Sequence, residues 1–136
     1  MPYRHQIKIP FQDIDAAGIV FFAHLFRYAH EAYEHFMAHI GHSLIDVLEK
    51  GDHLLPLVHA EADYREPLRL GQTVTIELET AKIGNSAFTL SYRFVADSGK
   101  TYATAETVHT VVEKTKQKST PIPEPLRTSL KLYLNS

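Results

Sequence analysis

Residues 11–22 read FQDIDAAGIVFF: two carboxylates, a glycine, then branched and aromatic side chains that lead into a helical pattern. A carboxylate can act as a base or a nucleophile, or it can accept a turn hydrogen bond. The head of a helix offers unpaired N–H groups and a positive dipole end, which suit an oxygen that gains negative charge. Gly18 lets a ligand approach the backbone with no Cβ in the way. Asp15 is therefore a candidate acid–base or nucleophilic group, and the peptide N–H groups near Phe21 and Phe22 are candidate oxyanion donors. On the residues alone, a turn or cap role for Asp15 is the commoner assignment.

Nine histidines invite a metal reading. HEAYEH, residues 30–35, has one residue too many for the H-E-x-x-H zinc pattern. His30 and His35 diverge around a helix, and His35 and His39 could share a face but have no Glu at the required place between them. No metal is expected, and His35, His39 and His42 read as a solvated helix end. His30 and Glu34 lie one turn apart and read as a polar pair on the helix edge or as contacts for a polar ligand group. His59 lies in a strand pattern and could line a pocket or face another subunit. Lys114, Lys116 and Lys118 fall in one loop and read as solvated charge. Contact with phosphates is the alternative for them, and for Arg65, Arg69, Lys82 and Arg93.

Composition narrows the classes. The chain has 136 residues, enough for one domain with one substantial core. Its net charge of -2 gives no global attraction for nucleic acid. With no cysteine, disulfides, thiolate zinc sites and cysteine nucleophiles are excluded. The first residues, MPYRHQIKIP, hold no apolar signal segment, and no apolar run has the length needed to span a membrane. A cytoplasmic protein without nucleic-acid or membrane partners is expected.

The elements that must position these residues follow from hydrophobic period. Residues 3–11 alternate as a strand, with Pro10 near its end. The stretch from Phe22 to Ile40 repeats apolar residues at helical spacing and stops at Gly41. Its large apolar share predicts a mostly buried helix. Ser43 caps a short second helix ended by Gly51. The period then changes to two. Val58, Ala60, Ala62 and Tyr64 fall on one face of a strand, and His59, Glu61, Asp63 and Arg65 on the other. Strands follow over 73–83 and 101–113, and between the GNS and DSGK turns Phe88, Leu90, Tyr92 and Phe94 alternate as another; a short helix follows Pro125. The expectation is one α+β domain over 1–136: a largely antiparallel sheet covering one long helix.

This arrangement resembles the hotdog fold, a curved antiparallel sheet wrapped around a central helix. The local sequence is more specific. DIDAAGIVFFAHLFRYAHEAYE resembles the active-site segment of the 4-hydroxybenzoyl-CoA thioesterase family: Asp15, two residues, Gly18, two branched residues, two aromatics, then the helix. LPLVHAEADYREPLRLGQTVTI fits the family's next strand and turn, with Gln72 where Asp is common. The resemblance spans about residues 3–115. HEAYE and LPLVHA look like the branch that acts on 1,4-dihydroxy-2-naphthoyl-CoA. His30 stands where the 4-hydroxybenzoyl enzyme has an acidic residue, and Phe22 where the Tol-Pal-associated members have His.

The resemblance implies a cofactor-free hydrolase of aryl- or acyl-CoA thioesters. It assigns catalysis to Asp15 and substrate contact to Gly18, Phe21, Phe22, His30 and His59, leaving Asp13 a structural role. It also implies homodimers, or tetramers made from two dimers, with active sites at the subunit junction. A broader acyl-CoA specificity and a non-catalytic acyl-thioester scaffold are the alternatives.

Overall fold

The computed structural model of the chain describes residues 1–135. Strand β1 (Tyr3–Lys8) leads through a 3-10 turn (Phe11–Asp13) into helix α1 (His24–His39) and helix α2 (Leu44–Lys50). Strands β2 (His53–Leu54), β3 (Leu57–Tyr64), β4 (Thr73–Ile83), β5 (Ala87–Val95), β6 (Thr101–Thr110) and β7 (Val112–Glu113) follow, then helix α3 (Glu124–Lys131). Five strands form one antiparallel sheet in the order β1-β4-β5-β6-β3, and β2 pairs with β7 separately.

The expected elements are present, with shifted ends. β1 stops at Lys8 rather than Phe11, because Pro10 has no N–H to extend the ladder and Phe11 turns out to solvent. The last long strand breaks at Val111, whose N–H donates to the Ser86 carbonyl. α1 starts two residues after Phe22, at His24. As the sequence implies, the Ser43 hydroxyl accepts the Asp46 N–H at 3.3 Å and caps α2.

The core forms where the two periods meet. α1 buries Leu25, Tyr28, Ala29, Ala32, Tyr33, Phe36 and Met37. Facing it, alternate residues of β4 (Val74, Ile76, Leu78), β5 (Phe88, Leu90, Tyr92, Phe94) and β6 (Ala103, Ala105) are also buried. Phe36 is fully enclosed, with the rings of Tyr3 and Tyr133 at 5.7 and 5.2 Å. β1 pairs with β4 only from Thr73 to Leu78. Beyond that, the C-terminal segment takes over the free edge: the Thr80 N–H donates to the Tyr133 carbonyl and the Asn135 N–H to the Thr80 carbonyl, each at 2.9 Å.

β3 differs from the other strands. It pairs with β6 on one side and has no strand on the other, and nearly all its residues are exposed. A register shift at Val58 also changes its faces. Leu57 sits opposite buried His109, so it shares the inner face with Ala60, Ala62 and Tyr64, and Val58 does not. His59, Glu61 and Asp63 point outward, opposite Val108, Glu106 and Thr104. A bulge of this kind cannot be read from alternation.

Replacing Phe36 with Ala should lower the free energy of unfolding by about 3–5 kcal/mol, measured by urea denaturation followed by circular dichroism.

Candidate active site

The loop before α1 is held by Asp13. Its side chain is 4% exposed. The Tyr28 hydroxyl donates to it at 2.6 Å, and the Arg27 guanidinium both donates to it and pairs with its charge. Burial opposes the charged form, but the Tyr28 and Arg27 hydrogen bonds and the Arg27 charge outweigh it. The carboxyl therefore ionises below its ordinary value. The Asp13 carbonyl accepts the Phe21 N–H at 3.1 Å. One residue thus ties the loop to the first turn of α1 by both side chain and backbone.

Between these ties the chain makes a small closed turn. The Asp15 N–H donates to the Ile19 carbonyl at 2.8 Å, and the Gly18 N–H to the Asp15 carbonyl at 3.0 Å. One oxygen of the exposed Asp15 carboxylate accepts the Ala17 N–H at 2.8 Å. So the turn role and the chemical role weighed for Asp15 are compatible: one oxygen fixes the turn and the other stays available. Gly18 has φ +80°, and a Cβ there would meet nothing within 4 Å. Its positive φ is a conformational requirement that glycine meets without strain.

The oxyanion expectation is also sharpened. The Phe21 N–H is already spent on Asp13. Among the described residues, the N–H groups of Phe22 and Ala23 have no partner. Both precede the first helical residue, where the dipole favours negative charge. The Phe22 carbonyl is clamped by the Leu25 N–H at 3.2 Å and by the Tyr64 hydroxyl from β3. That clamp fixes the plane of the peptide carrying the Ala23 N–H. The alternation had marked Tyr64 only as apolar-face, and its contact depends on how β3 passes the helix head.

Asp15, Val20 and Phe22 line one side of a cavity of about 410 Å³, and Tyr64, Arg65 and Pro67 line the other. A second cavity of about 250 Å³ lies between α1 and β3, lined by Phe26, Arg27, His30, Leu57, Ala60 and Thr107. Phe22, Phe26 and His30 are one turn apart on α1, an exposed stripe beside β3. His30 makes no contact with Glu34; its ring stacks on Tyr33 at 5.5 Å.

Other candidates fall elsewhere. His59 lies on the outer face of the sheet, 3.5 Å from Glu61, and lines neither cavity, because it alternates with the inward Ala60 and Ala62. His35 and His39 are exposed, as expected of a solvated helix end, and each also has a neighbour: His35 stacks on His5 at 4.3 Å, and His39 meets the Tyr133 hydroxyl at 2.8 Å. Arg93 is engaged by Glu77, and Lys114 donates to the Leu48 carbonyl. Of the basic candidates, Arg65 lines the Asp15 cavity. Among the described residues no three His, Asp or Glu side chains converge as metal ligands.

A helix wrapped by an antiparallel sheet, with a carboxylate turn at its head, defines a hotdog-fold thioesterase. The family model of the thioesterase-like superfamily matches residues 9–130, and the chain belongs to that superfamily. A 1,4-dihydroxy-2-naphthoyl-CoA hydrolase of Synechococcus elongatus is 38% identical over 131 residues, 96% of each chain. One of the same name from Thermosynechococcus vestitus is 32% identical, over 93% of this chain and 87% of the relative. The crystal structure of a 1,4-dihydroxy-2-naphthoyl-CoA thioesterase from Synechocystis superposes with a TM-score of 0.89 at 29% identity, covering 96% of each chain.

The Asp13 attachment has a pH signature. A carboxyl with a lowered folded pKa contributes stability at pH values above its unfolded pKa of about 3.9 and loses it as pH falls through the folded value. Asp13→Asn should therefore melt below wild type at neutral pH, and the gap should close as pH drops below about 4. Thermal melts at a series of pH values measure this.

Proposed function

We propose that this thioesterase hydrolyses an aryl-CoA thioester, with 1,4-dihydroxy-2-naphthoyl-CoA as the foremost substrate. The observation that carries the mechanism is that Asp15 and Phe22 line one cavity at the helix head, where the Phe22 N–H and the next, that of Ala23, are unpartnered among the described residues. The thioester oxygen sits on those N–H groups, which stabilise it as it gains charge. One such donor is worth about 3–4 kcal/mol in a transition state. Gly18 serves by shaping the turn, and Phe21 by its backbone tie to Asp13 and its ring in the cavity wall.

Two routes use these same atoms. In one, Asp15 attacks the carbonyl carbon, the carbon–sulfur bond breaks, and CoA leaves as thiolate. Water then hydrolyses the mixed anhydride and restores Asp15. In the other, Asp15 accepts a proton from a water that attacks directly. Both give free acid and CoA, and neither needs a cofactor.

The names of the relatives support the aryl substrate, and so does the second cavity, which has aromatic and aliphatic walls and His30 as a polar contact. Arg65, at the rim of the Asp15 cavity, suits a phosphate of CoA. A CoA substrate sets the reaction in the cytoplasm.

The unpaired edge of β3 supports assembly. An exposed strand with a free edge is a template for another strand. Leu57, Val58 and Tyr64 are each about half exposed on it. A second copy pairing there would bring its own α1 stripe to the junction and seat His59 against the partner. Two such dimers would make the tetramer.

Thiol release from a panel of aryl- and alkyl-CoA esters tests the activity. The aryl esters should be the better substrates, and Asp15→Ala and Asp15→Asn should each lower kcat by about 10²–10⁴-fold. Wild-type rates in both variants would overturn the role of Asp15. Binding of acyl-CoA without release would favour the scaffold alternative. Sedimentation should give an even multiple of the 15.4 kDa chain, and a monomer at assay concentration would overturn the edge-pairing arrangement.

A further inference from the structure

Thr107 lies on β6 in the wall of the second cavity, beside His30. Its hydroxyl already has two neighbours. The Tyr92 hydroxyl is 2.8 Å from it, and His109 Nε2 is 3.0 Å from it. All three side chains are more than nine-tenths buried, so each of their protons must find its acceptor inside the protein.

That requirement sets the direction of the chain. Among the described residues, Thr107 is the sole partner of the Tyr92 hydroxyl, so Tyr92 donates to Thr107. Burial pushes the pKa of His109 down to about 4, which keeps the ring neutral with a single proton. The Leu55 carbonyl backs the ring and favours that proton on Nδ1, although it does not close a regular hydrogen bond there. Nε2 is then bare and accepts the Thr107 proton. With the proton on Nε2 instead, Thr107 would accept from both Tyr92 and His109, and a bare Nδ1 would face the Leu55 carbonyl, two acceptors with no proton between them. Tyr92 to Thr107 to His109 therefore uses up the only proton Thr107 has. What Thr107 can offer the cavity is an oxygen lone pair.

We infer that Thr107 is a specificity-determining residue: its oxygen accepts a hydrogen bond from a ring hydroxyl of the aryl group beside His30, and Tyr92 and His109 fix that polarity. The inference rests on the aryl-CoA reading and deepens it, since it selects hydroxylated rings over bare or methylated ones. It holds whether the thioester reacts at Asp15 of the same chain or of a partner. His30 closes one end of a column of stacked rings, followed by Tyr33, His109 and Phe88 at spacings of 5.5, 4.3 and 5.2 Å. The cavity contact and the buried chain are thus one packed unit.

The experiment compares kcat/KM for 1,4-dihydroxy-2-naphthoyl-CoA, its methyl ethers and 2-naphthoyl-CoA. Wild type should prefer the dihydroxy ester. Thr107→Val should lower the preference for the dihydroxy ester over 2-naphthoyl-CoA about tenfold or more, and Thr107→Ser should retain it. An unchanged preference in Thr107→Val would overturn the inference, while hydrolysis of all three esters would leave the hydrolase reading standing. If no ester is hydrolysed, that reading fails, and the direction of the chain is still judged by a second measurement. Ring ¹⁵N spectra of the labelled wild type should show His109 protonated on Nδ1, and protonation on Nε2 would overturn the inference without any variant.

Discussion

The site depends on the attachment of one buried carboxylate. Asp13 is enclosed, charged, and bonded to Arg27 and Tyr28 on the first turns of α1. A buried charge that lost these partners would be strongly destabilising, so the loop and the helix are held as a unit. Its carbonyl also takes the Phe21 N–H. The next two N–H groups are thereby left at a fixed place with nothing to bond. Asp15, two residues away, is set by the same short loop. The two aspartates divide the work: one anchors the frame, and the other stands exposed within it.

Much of the fold was legible because the hydrophobic period changes so clearly, from the α1 stripe to the alternation of Phe88, Leu90, Tyr92 and Phe94. The Asp15–Gly18 turn was legible too, from residue types and from the resemblance to known thioesterases. What was hidden depends on pairing. Nothing in the string LPLVHA shows that Val58 is an extra residue in its ladder, yet that one register shift puts Leu57 on the inner face with Ala60. Pro10 carried a readable signal, since a residue without an N–H ends a ladder, and the end of β1 follows from it. The Tyr64 clamp on Phe22 and the Phe21–Asp13 bond join segments that are remote or folded back in sequence, so no local pattern could announce them.

The interior shows a second kind of constraint. β6 places Thr107 and His109 where a β-sandwiched helix would ordinarily meet aliphatic side chains, and both are almost fully enclosed. Val or Leu there would bury more apolar area but would leave the Tyr92 hydroxyl without its partner. Tyr33 adds to the anomaly, with a buried hydroxyl that has no partner among the described residues. A buried polar network is worth its cost only when its members satisfy one another. Here the Tyr92–Thr107–His109 chain nearly does so, and it adjoins Phe26 and His30, an uncovered stretch of α1 beside β3.

That uncovered stretch completes the argument. Helix α1 is buried along one face and not, as its apolar share suggests, over most of its surface; on its β3 side Phe26 and His30 stand open, with Phe22 just ahead of the helix 62% exposed. An apolar stripe in water works against stability and invites association. The same holds for the free edge of β3 that runs beside it. Two such liabilities on one side of a domain, bordering a carboxylate, unpaired N–H groups and a buried polar chain, are where local preference and global stability conflict. Conflicts of this kind concentrate at functional sites. A flat acyl group and a second strand are the kinds of surface that would cover the stripe and the edge.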